Sequence, residues 1–244
     1  MVQSSTEKVV PFRDSKLSKT EQIAEMFNGI AHRYDFMNHF LSLGIDRGWR
    51  RKALQRLEAS RPRTILDIAT GTGDLAILAS RMLRPEKITG VDISRGMLEL
   101  GVEKVKKAGL DQQITLREAD CEHLPFLTGS FDAVTSAFGV RNFEHLDAGL
   151  SEMARVLRPG GTAVILEFTS PTVFPVKQFF HLYFRYITPS IGKWIARSKD
   201  AYRYLPESVQ AFPQGEAMNV SIKRNGGRQA TCTPLTLGIC SIYC

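Results

Sequence analysis

The chain has 244 residues, 43% of them apolar, enough to bury the core of one large domain or two small ones. Its formal charge of +7 comes from scattered basic residues, with clusters only at 47–52 and 104–107 and no RNA-binding motif beside them, so nucleic acid is set aside as a partner. No apolar run reaches the ~20 residues a bilayer span needs, no apolar signal segment opens the chain, and Cys121, Cys232, Cys240 and Cys244 lack C-x-x-C spacing. We therefore expect reduced thiols, no metal site and a cytoplasmic location.

Residues 1–17 are polar and unpatterned and read as a flexible arm. Ser18-Lys19-Thr20-Glu21 is a capping box, after which Ile23, Met26, Phe27 and Ile30 recur at helical spacing. A second helix, at 46–58, carries Trp49 and Leu54. Together, residues 18–60 form a helical cap placed to cover the mouth of a ligand pocket. From residue 64 the pattern runs strand, helix (74–83), strand (87–92), helix (94–108), strand (113–118), strand (131–138), helix (146–156), a turn at Arg158-Pro159-Gly160-Gly161, and strand (162–168). This alternation predicts the α/β class: a mostly parallel sheet with helices on both faces, in a single domain over 18–244.

Residues 168–204 hold ten of the 22 aromatic residues, with an apolar stripe at 179, 180, 183, 184 and 187. Two readings stand: a helix buried over the sheet, or a lid over a greasy substrate with Lys177, Arg185, Lys193 and Arg197 meeting lipid headgroups. Residues 218–227 have poor helical patterning. The β-type patches at 235–237 and 239–243 predict an antiparallel hairpin at the sheet edge.

The chemistry starts in Ile65-Leu66-Asp67-Ile68-Ala69-Thr70-Gly71-Thr72-Gly73-Asp74-Leu75, an apolar strand that stops in a small-residue turn before a helix. Gly71 and Gly73 allow a sharp turn and a close approach to a ligand beneath the helix N-terminus. Asp67 decides which ligand. A dinucleotide would bring a pyrophosphate here, and two like charges ~4 Å apart at an effective dielectric of ~20 repel by ~4 kcal/mol. S-adenosylmethionine has no phosphate and carries an ammonium and a sulfonium, which Asp67 and Asp74 would attract. Asp92, nineteen residues after Gly73 at the end of the next strand, suits the ribose hydroxyls, and Asp120 closes the third strand ahead of Cys121. Residues 139–143 follow the fourth strand and face the reactive end of such a cofactor.

The chain resembles the ubiquinone/menaquinone biosynthesis C-methyltransferase family of class I methyltransferases. Two signatures carry the resemblance: Tyr34-Asp35-x-Met37-Asn38-x-x-Leu41-Ser42 through Trp49-Arg50, and Arg155-Val156-Leu157-Arg158-Pro159-Gly160-Gly161 through Glu167-Phe168-Thr169. Phe138-Gly139-Val140-Arg141-Asn142 and Tyr204-Leu205-Pro206-Glu207-Ser208 add to it. The resemblance implies cofactor contacts at Thr72, Asp92, Asp120 and Cys121. It departs from the family at Ala137, where a serine contact is usual, at Asp46 for histidine, and at Arg158 and Thr169. At Val220 to Gly227, where the family places an amphipathic helix, Gly226-Gly227 stand instead, so weak packing is expected there, and the chain stops at Cys244 without the usual basic tail.

The implied activity is methylation of demethylmenaquinol to menaquinol, the acceptor being a prenylated naphthoquinol. The alternatives are the methoxy-benzoquinol of ubiquinone synthesis, or a binding module that no longer catalyses. An oily acceptor also implies peripheral membrane contact, and a homodimer is left open. Ring methylation needs a nucleophilic carbon, which an ionised neighbouring hydroxyl supplies; for a phenol of pKa ~10 this costs ~4 kcal/mol at pH 7. Arg141 is the candidate cation to offset it, with Asn142 orienting the ring oxygen and Tyr34 hydrogen-bonding the substrate. Arginine stays protonated, so the proton must go to water or to Asp35, His145 or Asp120.

Overall fold

The structure is a computed structural model that describes residues 9–42, 44–182 and 199–244. Helix α1 (Lys19–Leu41) begins at the expected capping box, the Glu21 N–H donating to Ser18 Oγ at 3.2 Å and the Ser18 N–H to the Glu21 carboxylate at 2.8 Å. Helix α2 (Ile45–Gln55) follows. The α/β succession is then β1 (Thr64–Ile68), α3 (Asp74–Leu83), β2 (Lys87–Asp92), α4 (Arg95–Lys107), β3 (Ile114–Glu118), β4 (Phe131–Ala137), α5 (Leu146–Val156) and β5 (Leu157–Phe168). After it come α6 (Val176–Leu182), α7 (Lys199–Ala211), α8 (Glu216–Arg224), β6 (Cys232–Leu235) and β7 (Cys240–Tyr243).

The strands form one sheet in the order β3-β2-β1-β4-β5-β7-β6, in which β1 to β5 are parallel and β7 is antiparallel to both of its neighbours. Successive side chains of a strand face opposite ways, so Ile65 and Val164 enter the core beneath α2 and α3, while Leu66 and Ile165 enter the core beneath α5. Burial on both faces is why these strands read as unbroken apolar runs. The chain winds from β1 toward β2 and β3, then returns to place β4 and β5 on the other side. That reversal opens a crevice at the carboxyl ends of β1 and β4. Asp67 lies on this line, opposite Gly90 of β2 and Thr135 of β4.

Three local readings change. Residues 9–12 of the arm are packed, while 13–17 are largely exposed: the Phe12 N–H donates to Gln22 Oε1 at 2.9 Å, Arg203 donates to the Pro11 carbonyl at 2.7 Å, and Val9 and Phe12 lie against Ile23, Met26 and Tyr204. The turn at 158–161 is a bulge inside β5. Phe131 pairs with Leu157 and Ala133 with Thr162, so the intervening residues loop out, with Arg158 bonded to Asp132. Residues 216–224 form a helix whose Met218 is fully buried against the α5 face, and Gly226-Gly227 close it, the Gly227 N–H donating to the Ile222 carbonyl at 3.0 Å. The helix is anchored at Met218, and the weak packing expected over 220–227 is not overturned: Val220 is exposed and Ile222 only partly buried against the same face. The C-terminal hairpin is present, but β7 lies inside the sheet and only β6 is at the edge.

Of the aromatic segment, α6 and the start of α7 are described. Tyr183, Phe184, Arg185, Tyr186, Lys193, Trp194 and Arg197 lie outside the described residues. Among the described residues no helix is long and apolar enough to cross a membrane.

Candidate active site

The loop after β1 is built by backbone twist. Ala69 and Gly71 turn left-handed, at φ 53° and 56°, and Gly73 does so again at φ 80° immediately before α3. The loop after β4 comes so close that a β-carbon on Gly139 would fall 2.3 Å from that of Ala69. Asp67 is buried beneath this junction and accepts the hydroxyls of Thr70 at 2.6 Å and Thr135 at 2.7 Å. Burial lifts its pKa to about 6, against the two hydroxyls and the nearby Arg50 charge. Asp92 takes the Gly71 N–H on one carboxylate oxygen and the Ser94 N–H on the other, both at 2.8 Å. Burial raises its pKa too, with those backbone donors opposing the rise.

Two cavities meet at this loop. The larger, about 640 Å³, runs from Asp92, Ile93 and Met97 past Asp120 and Cys121 to Phe138, Gly139, Asn142 and Phe143. Helix α1 roofs it with Thr20, Ile23, Phe27 and Tyr34. The helix is pinned in place where Lys19 donates to the Phe143 carbonyl at 3.0 Å and the Thr20 hydroxyl to Glu144 at 2.9 Å. The smaller cavity, about 340 Å³, is polar and includes Arg50, Asp67, Thr70, Thr72 and Asp74. Tyr34, Ala69, Gly71 and Ala137 line both, so the two are arms of one space.

The predicted site residues therefore gather, with exceptions. Tyr34, Gly71, Asp92, Asp120, Cys121 and Asn142 line the larger arm, and Asp67 and Thr72 the smaller. Gly73 shapes the turn without lining either arm. Asp74 is already ion-paired to Lys104. Arg141 lines neither arm: it is buried, donates to Glu167 Oε1 at 2.8 Å and to the Phe138 carbonyl, and lies over the Phe168 ring at 5.6 Å. Its charge is matched inside the protein. Of the three candidate bases, Asp35 holds the Thr72 hydroxyl at 2.6 Å and Lys104 at 2.8 Å, His145 is 61% exposed beside Glu122, and Asp120 alone of the three lines the space.

Sequence reasoning assigned no role to Arg50, Glu167 or Lys104. The Asp46–Arg50 spacing of one helical turn was a readable signal, and the two side chains are indeed ion-paired.

Residues 15–244 match the ubiE/COQ5 methyltransferase family. The chain belongs to that family. A demethylmenaquinone methyltransferase of Bacteroides fragilis is 52% identical over 238 residues, covering 97% of this chain and 96% of that relative. A ubiquinone/menaquinone biosynthesis C-methyltransferase UbiE of Geotalea daltonii is 44% identical over 226 residues, 92% of this chain and 96% of the other. A SAM-dependent methyltransferase from Aquifex aeolicus shares the fold, with a TM-score of 0.54 at 17% identity over 74% of this chain and 80% of that one.

As a ubiE/COQ5 methyltransferase the protein takes its methyl group from S-adenosylmethionine. The residues present fit that donor. Asp92 and Asp120 line the larger arm and Asp67 the smaller, offering carboxylates to a diol and to a cation.

Proposed function

We propose that the protein methylates a ring carbon of a prenylated naphthoquinol, converting demethylmenaquinol to menaquinol. The observation that carries this reading is the junction of the two arms. A polar arm and an oily arm meet at Tyr34, Gly71 and Ala137, with Asn142 on the oily side. Bound S-adenosylmethionine supplies an electrophilic methyl group on its sulfonium. What the chain must do is hold an aromatic ring beside that point, exclude water and remove one proton.

Asn142 carries the orienting role. Its side-chain oxygen is buried without a hydrogen-bond partner, and a buried acceptor in that state is stabilised by any donor brought to it. A quinol hydroxyl is such a donor. Tyr34 stands at the junction and confines the ring from above, its own ring in edge contact with Phe27 at 5.6 Å. Asp120 is the base we favour, since it lines the larger arm. Arg141 holds the 139–143 turn in place through Glu167, a positioning role in place of the cation role the sequence suggested. The oily acceptor must also reach the protein from a membrane, and Val173, Phe174 and Leu182, exposed around α6 with Lys177, provide an apolar and basic surface for that contact.

The test is product analysis with methyl-labelled S-adenosylmethionine and, in separate reactions, demethylmenaquinol and the methoxy-benzoquinol precursor of ubiquinone. Label in menaquinol, with little in the benzoquinol, is expected; no transfer to either acceptor overturns the proposal.

A further inference from the structure

The turn that enters β7 is held in an unfavourable shape without any packing gain inside the fold. Thr236 and Leu237 both take left-handed backbone angles, φ 45° and 56°, which crowd a β-carbon against the main chain. Leu235 and Ile239 on either side pack into the core beneath α2 and α3, but Leu237 does not and is 67% exposed. The turn is also fixed. The Trp49 indole N–H of α2 donates to Thr236 Oγ1 at 2.7 Å, the Thr169 hydroxyl donates to the Gly238 carbonyl at 2.8 Å, and Gly238 lies against Pro171. A leucine locked outward in a strained turn points to a surface that something else covers.

Those contacts also place the leucine. β7 is antiparallel to β5 with Cys240 opposite Phe168, so the turn caps the carboxyl end of β5, on the same rim of the sheet as the site. Two further segments put apolar side chains on that rim. Val173 and Phe174, 56% and 76% exposed, follow Pro171, and the exposed Ile45 begins α2 one helical turn before Trp49. Single exposed leucines are ordinary, but four large apolar residues from three segments on one rim are not. Cations flank them. Arg47, Arg51 and Lys52 on the first two turns of α2 and Lys177 of α6 are exposed, and among the described residues none of the four has a carboxylate partner.

Apolar tips ringed by unmatched cations complement a bilayer with anionic headgroups, the tips entering the acyl boundary while lysine and arginine meet the phosphates. We propose that this rim is a docking face for an anionic membrane surface, seated through Ile45, Val173, Phe174 and Leu237 and steered by Arg47, Arg51, Lys52 and Lys177. The inference rests on an acceptor oily enough to reside in the bilayer, and it adds α2 and the turn before β7 to the surface around α6. Docking there turns the carboxyl ends of β1 and β4, where the site lies, toward the lipid.

The experiment is flotation of the full chain with vesicles of phosphatidylcholine alone and of phosphatidylcholine with about one-third phosphatidylglycerol, at low and at high salt. The native protein is expected to float with the anionic vesicles, less with the neutral ones, and to be released as salt rises. Leu237→Asn suits the left-handed turn, so it should fold at least as stably by thermal denaturation while binding vesicles on the order of 10-fold more weakly, for one leucine no longer buried. Arg47→Gln with Arg51→Gln should lose about 5-fold per charge. In methyl-transfer assays both variants should match native turnover on a water-soluble, short-chain acceptor and fall behind it on a long-chain acceptor embedded in vesicles. A native protein that does not bind anionic vesicles, or binds both kinds alike, overturns the docking face, as do variants that bind like the native chain. So does a native dimer in sedimentation that Leu237→Asn makes monomeric, since a second copy would then cover the rim. Vesicle binding that the variants lose, with no methyl transfer to either acceptor, supports the docking face and overturns the acceptor assignment instead.

Discussion

Arg141 and Glu167 form a buried ion pair, Nη1 to Oε1 at 2.8 Å, that ties the turn after β4 to the end of β5. Glu167 is fully buried and also accepts the Arg141 backbone N–H at 3.2 Å, so one carboxylate fixes both the side chain and the main chain of this turn. Removing one member of such a pair leaves a buried charge unmatched. We expect Glu167→Ala to lower unfolding free energy by about 3–5 kcal/mol, measured by urea denaturation, and to reduce turnover by displacing Asn142. A Glu167→Ala protein as stable as the native chain would show that Arg141 is not held in this way.

Asp67 binds its proton more tightly folded than unfolded, because burial raises its pKa from the ordinary 3.8 to about 6. Its contribution to stability is therefore complete below about pH 4 and is lost as pH rises through 6. Asp67→Asn removes the ionised buried group. The variant should be more stable than the native chain at pH 8, by up to about 3 kcal/mol at ~1.4 kcal/mol per pKa unit, with the gap closing toward pH 4. It should also bind S-adenosylmethionine more weakly. Denaturation at the two pH values, with titration of the donor, checks both.

Lys104 joins three elements: its amine donates to Asp35 of α1 at 2.8 Å and to Thr72 of the glycine loop at 3.0 Å, and pairs with Asp74 at the start of α3. The groups are about one-third exposed, so solvent screening holds each pair below about 1 kcal/mol. Lys104→Met should leave global stability within about 1–2 kcal/mol of native while loosening the roof over the site. Faster amide exchange in α1 and faster release of S-adenosylmethionine are the expected readouts. Unchanged exchange in α1 would remove the latch from the account.

Met218 is fully buried where α8 meets α5. Met218→Ala should cost about 2–5 kcal/mol, as for other large-to-small core changes, and amide exchange in native α8 should be slow. A change under 0.5 kcal/mol, typical of surface sites, would show that Met218 does not anchor α8.

The parallel sheet and the glycine loop were legible because their signals are local. Apolar runs end in acids at Asp67 and Asp92, and a capping box opens α1. The fate of Arg141 was not legible, since it depends on Glu167, 26 residues away and brought near only when β5 pairs with β4. The packing of α8 was hidden for the same reason: its short pattern gains meaning from α5, and Gly226-Gly227 read as breakers when they act as a cap. Residues 158–161 have turn chemistry, but β5 pairs with β4 both before and after them, with a shift in register, so the turn becomes a bulge. Arg50 lay between these cases. Its partner Asp46 stood one helical turn away, but that Arg50 borders the polar arm became visible only once α2 was set in place.

The central claim is that the carboxylate at the end of β1, Asp67, selects a positively charged methyl donor over a phosphate-bearing dinucleotide. Titration of the native protein with S-adenosylmethionine and, separately, with NADH under the same conditions tests it most directly. Saturable binding of the sulfonium compound with no heat from NADH is the predicted result; affinity for NADH with none for S-adenosylmethionine would contradict it.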